Sequence, residues 1–69
     1  MEGLQRFNGK RVKLTDKSGR EYVGVIEQVY SGGESPDGET VEIYLDNKPF
    51  KPLELFTSDV VSCEMILGK

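Results

Sequence analysis

The sequence predicts an all-β fold: five strands in a small, strongly bent antiparallel barrel, with a short helical turn in front. Three observations carry this expectation. Apolar and polar residues alternate in "KRVKLT" and "TVEIYLD", the period-two pattern of strands with one buried face. Turn-forming residues punctuate the chain at short intervals, at "NG", "DKSG", "SGGESPDGE" and "TSD". No stretch keeps a helical period beyond a single turn.

Each element follows in order. "GLQRFN" suits one helical turn, with Leu4 and Phe7 three apart on one face. Asn8-Gly9 then reads as a left-handed stop. Val12 and Leu14 form the apolar face of the first strand, and "DKSG" (Asp16 to Gly19) turns the chain into a hairpin. The second strand runs to Tyr30 with Gly24 in its middle, where glycine packs nothing. Tyr22, Gly24 and Ile26 share one face, whereas Val29 falls on the other parity. A bulge near Glu27-Gln28 would turn both Ile26 and Val29 inward, with Gly24 marking a close approach of another backbone.

The stretch from Ser31 to Glu39 is an acidic loop, and its Glu34, Asp37 and Glu39 do not have the spacing of a dedicated calcium loop. Val41, Ile43 and Leu45 face inward in the third strand, against Glu42, Tyr44 and Asp46. "NKPFKP" reads as a bend, because Pro49 and Pro52 cannot donate to a ladder. Its P-x-x-P spacing matches a polyproline ligand, but its place between strands suits edge protection better. "LELF" is a short strand ending at Phe56, a core or corner residue, and "VVSCEMIL" closes the chain as the fifth strand.

At 69 residues the chain is one domain, 1–69, with little room for a large core. A core of this size rarely supplies more than about 3–5 kcal/mol unaided. Cys63 is the only cysteine and there is no histidine, which excludes an intrachain disulfide and leaves no set of zinc ligands. The commonest general base is missing as well, and Cys63 sits mid-strand as a core thiol. The expectation is therefore a protein without enzymatic activity or cofactor. No run approaches a membrane span and "MEGLQRFNGK" lacks a signal-peptide core, so a soluble, cytoplasmic protein is expected.

The net charge of −3 is unevenly spread. Residues 1–20 hold six basic residues against two acids, and residues 21–69 three lysines against ten acids. Lys10, Arg11, Lys13, Lys17 and Arg20 thus make a basic first hairpin that would meet nucleic acid or an acidic partner. Val23 and Val25 fall on the face opposite Ile26, where an uncovered valine pair points to a partner.

The segment "GKRVKLTDKSGREYVGVIEQV" resembles the first motif of Sm-like proteins, through Val12, Leu14, Gly19, Tyr22, Gly24 and Ile26. "TSDVVSCEMI" is similar to the end of their second motif. The resemblance implies an Sm-like (SH3-like) barrel whose second strand turns sharply at Gly24, and assembly of copies through strand edges. In that family an acidic or polar residue and an Asn after the second strand grip RNA, with an Arg-Gly pair completing the pocket. Here Tyr30 stands in the first place, no Asn follows in the loop, and Phe56-Thr57 replace the basic step. Two functions are therefore expected in order: a non-catalytic interaction module that binds a protein partner or its own copies, then an Sm-like RNA-binding protein using the basic hairpin. The acidic loop disfavours RNA, since it would repel phosphate.

Overall fold

The computed structural model describes residue 1, residues 3–30 and residues 38–67. Strands β1 (Arg11–Asp16), β2 (Glu21–Tyr30), β3 (Thr40–Leu45), β4 (Lys48–Phe56) and β5 (Val60–Met65) form one antiparallel sheet. Their order across it is β4-β3-β2-β1-β5. A 3-10 turn, η1 (Leu4–Phe7), precedes the sheet, and a second, η2 (Thr57–Asp59), joins β4 to β5. The five antiparallel strands and the leading turn are those the sequence predicts. Closure is not: among the described residues no ladder joins β4 to β5, and both are edges. Two prolines in β4 withhold backbone donors from any strand that would seal it.

The alternating residues build the core. Val12 and Leu14 from β1, Ile26 from β2, and Val41 and Ile43 from β3 are fully buried, with Val60 of β5 beside them. Leu4 and Phe7 reach the same core from η1. Burial of each stabilises by about 1.5–3 kcal/mol, which a one-turn helix needs because its own hydrogen bonds are too few to hold it. Gly9 follows η1 with φ +76°, the left-handed conformation read from "NG". Its N–H donates to the Ile26 carbonyl at 2.7 Å, tying the turn to β2.

β2 is the central strand of the sheet. Its first half pairs with β1 and its second half with β3, and around Gly24 it pairs with both. A Cβ built on Gly24 would lie 2.1 Å from the Tyr44 carbonyl oxygen and 2.7 Å from Leu45 Cα. Both are backbone atoms, so no side-chain rotation relieves the overlap. The glycine marks the close approach of β3. Three residues later the ladder slips between Ile26 and Gln28. That bulge lets Ile26 be buried and Val29 pack partly against the core.

The "NKPFKP" bend needs correction. The turn between β3 and β4 is only Asp46 and Asn47, and β4 already begins at Lys48. Leu45 pairs with Lys48 and Ile43 with Leu53, so Pro49 to Pro52 stand opposite Tyr44 alone. The prolines interrupt the ladder inside an edge strand rather than between strands.

Candidate interaction surface

The five basic residues of the first hairpin do not form one patch. Arg11 stands opposite Val25 and Lys13 opposite Val23. Directly opposed residues share a face, so these two cations and both valines lie together on the outside of the sheet. Tyr44 joins them opposite Val25. Lys10 precedes β1, with its carbonyl accepting from Ile26 N–H at 3.1 Å, while Lys17 and Arg20 flank the turn at the far end of the hairpin.

Three of the five cations already face carboxylates. The Arg11 guanidinium donates to Asp46 through Nε and Nη2, holding that carboxyl below its ordinary range and raising its own pKa. Lys13 Nζ lies between Glu21 (3.8 Å) and Glu64 (3.9 Å). Lys17 Nζ is 3.1 Å from Asp59. The first hairpin is basic in sequence, but the fold sets acids from β2, the β3–β4 turn, η2 and β5 against it. The sequence signal was local charge, and tertiary neighbours offset it.

Asp16 is a structural residue of this hairpin that a charge count does not reveal. Its Oδ1 accepts from the Ser18 hydroxyl (2.6 Å), Ser18 N–H (2.9 Å) and Arg20 N–H (3.0 Å), and its Oδ2 from the Tyr22 hydroxyl (3.0 Å). These donors, the Ser18 hydroxyl first, bring the carboxyl down to about 2. The Tyr22 phenol is raised, by burial and then by this carboxylate. The four-residue "DKSG" turn contains the signal, since Asp at the first turn position is suited to local bonds of this kind.

Exposed large apolar residues gather on the two edge strands. Phe50 of β4 is 83% exposed, Val61 of β5 57% and Leu67 beyond it 86%, with Phe56 and Met65 about half exposed. Away from the edges only Val25 and Tyr30, both in β2, belong to the same class among the described residues. Phe56 is thus a corner residue where β4 enters η2. Met65 stands opposite Val12, and Cys63 opposite Leu14, so both turn toward the core side where the sheet is left open. Burial pushes the Cys63 thiol up to about 11, which keeps it protonated and unreactive near neutral pH.

Glu39 closes the corner near η2, its carbonyl accepting from Thr57 N–H and its carboxylate from the buried Thr57 hydroxyl, each at 3.0 Å. Residues 31–37 of the acidic loop, including Glu34 and Asp37, lie outside the described residues. Among the described residues no three His, Cys, Asp or Glu side chains are grouped to hold a metal ion. No helix there is long and apolar enough to cross a membrane. The chain matches no family model, and no curated protein or solved structure shows significant similarity to it.

Proposed function

We propose that this chain is a non-catalytic interaction module of Sm-like type, which binds a protein partner or its own copies through strand edges. The observation that supports this reading is the coincidence of open backbone edges with exposed apolar side chains: Phe50 and Phe56 on β4, Val61 and Met65 on β5. An unpaired edge is a template for another strand, and apolar groups left in water there gain most from being covered. The lone, partly buried Cys63 suits a reducing compartment, and the proposal includes a place in the cytoplasm.

RNA binding through the basic hairpin is the second reading, and the pairing of Arg11, Lys13 and Lys17 with carboxylates weighs against it. Phosphate would have to displace those partners before releasing any counterion free energy. Light scattering across a concentration series tests the first reading, with self-association expected; a strict monomer at the highest concentration removes its self-assembly form. Titration of labelled oligo-U and oligo-A at low salt tests the second. Saturable, steeply salt-dependent binding there would overturn the preference stated here.

A further inference from the structure

The two edges of the sheet are not alike. β4 carries Pro49 and Pro52, which have no N–H to offer a further strand, and the charges of Lys48, Lys51 and Glu54. Prolines and charges of this kind keep an edge strand from pairing. β5 reads Val60-Val61-Ser62-Cys63-Glu64-Met65, without proline or lysine. Its single charge, Glu64, already has Lys13 of β1 at 3.9 Å, and its Val61 and Met65 are about half exposed. One edge is guarded and the other is open to a strand.

Which backbone groups of β5 are open follows from its pairing with β1. Ile66 N–H donates to the Arg11 carbonyl at 2.8 Å, and the direction of these groups alternates along an antiparallel ladder. Glu64 and Ser62 therefore face β1, and Cys63 and Met65 hold their N–H and C=O outward. A second β5 laid antiparallel on this edge must set outward residues against outward residues, so a two-fold axis that pairs most of the strand passes through Ser62, Cys63 or Glu64. At Glu64 the two carboxylates would stand directly opposite, and like charges so placed are destabilising. At Ser62 the axis would set Glu64, on the outer face with Lys13, against Val60, which the fold buries on the core side. At Cys63 neither conflict arises. Val61 then opposes Met65 of the other copy, and Glu64 opposes Ser62, a hydroxyl donor for a carboxylate.

This match is a property of β5 against itself, and it selects a second copy as the strand that covers the edge. Pairing β5 head to tail with the β4 of a next copy would need the guarded edge, and would grow into a ring or a filament. Resting on the reading that the strand edges are contact surfaces, we infer that two copies of this chain form a closed dimer through β5 alone, antiparallel about Cys63, so that their sheets continue as one. The outward backbone groups of Cys63 and Met65 gain partners, Val61 and Met65 are covered, and each β4 stays at the far edge of the joined sheet.

The test is native mass spectrometry with light scattering on the full chain over a concentration series. The wild type is expected as a dimer, Val61→Lys with at least a tenfold weaker association, and Phe50→Ser, on β4, as a dimer still. Circular dichroism of Val61→Lys should match the wild type, because Val61 is 57% exposed. Adding Met65→Glu to Val61→Lys is expected to restore the dimer, since the Cys63 register sets these two positions opposite each other. A dimer that Val61→Lys leaves intact, or that Phe50→Ser dissolves, overturns the β5 contact while leaving edge-mediated assembly in place. A double variant that is folded by circular dichroism and still monomeric overturns the Cys63 register. Assemblies larger than two overturn the two-fold arrangement. A wild type that is monomeric throughout overturns both this dimer and the self-assembly reading beneath it.

Discussion

β2 and β4 each hold residues that strands ordinarily avoid, and the two sets act in opposite directions. Gly24 in β2 removes a side chain so that the β3 backbone comes close, within 2.1 Å of where a Cβ would stand. Pro49 and Pro52 in β4 remove donors where the ladder to β3 is interrupted. The first departure draws strands together over the core; the second presents Phe50 to solvent. A strand breaker therefore has no fixed meaning until its place in the sheet order is known: central in β2, at the edge in β4. Changes in β2 should cost stability, and changes at Phe50 in β4 should leave stability intact.

The sharpest way to break that contrast is Gly24→Val. Because the obstructing atoms are backbone, the sheet itself must shift, and a loss of roughly 3 kcal/mol or more is expected. A domain of this size has about 3–5 kcal/mol in hand, so the variant should keep at most about 2 kcal/mol of it and unfold at a much lower urea concentration. Gly24→Ala carries the same Cβ and should fare little better. Urea unfolding followed by circular dichroism measures both. A neutral or stabilising Gly24→Val would show that the β3 backbone does not approach β2 this closely at Gly24.

Asp16→Asn ranks next and acts at the hairpin turn that aligns β1 with β2. The folded carboxyl lies at about 2, below its ordinary 3.8. A depressed carboxyl stabilises the folded state above its unfolded pKa, and loses that contribution as pH falls toward its folded one. The wild type should therefore exceed Asp16→Asn in urea midpoint at every pH above about 4. Between that point and pH 2 the gap should close. A gap that stayed constant down to pH 2 would show that the Ser18, Arg20 and Tyr22 bonds do not favour the ionised form.

How far this arrangement was legible depends on whether its cause is local. Val12, Leu14, Val41 and Ile43 declare their burial by alternation alone, and "NG" and "DKSG" declare their turns by residue type. The bulge after Ile26 was legible as well, because Val29 has the wrong parity unless one residue is added. What the sequence does not show is which acids meet which bases. Arg11 and Asp46 are 35 positions apart, and only the order of the sheet brings them together. Edge exposure was hidden for the same reason. "VVSCEMIL" has the apolar content of a central strand, and nothing within it says that no strand follows on its far side.

The smallest expected effect belongs to that Arg11–Asp46 pair, and it sharpens the account of β4. Both side chains are nearly half exposed, so water and salt screen their attraction and isolated pairs of this kind add little to stability. Arg11→Ala, Asp46→Ala and the double variant should melt within a few degrees of the wild type. Any coupling between them should vanish near 1 M salt, where the screening length is about 3 Å. The position gives the experiment its use. Asp46 forms the turn immediately before Pro49 and Pro52, so a large, salt-resistant coupling would mean that this ion pair holds the turn and sets the course of β4. A small, salt-sensitive one leaves that task to the fixed φ angles of Pro49 and Pro52 and to the Asp46 N–H, which donates to the Val23 carbonyl at 2.9 Å. The backbone bond and the proline rings are indifferent to salt, and the expectation is that they suffice.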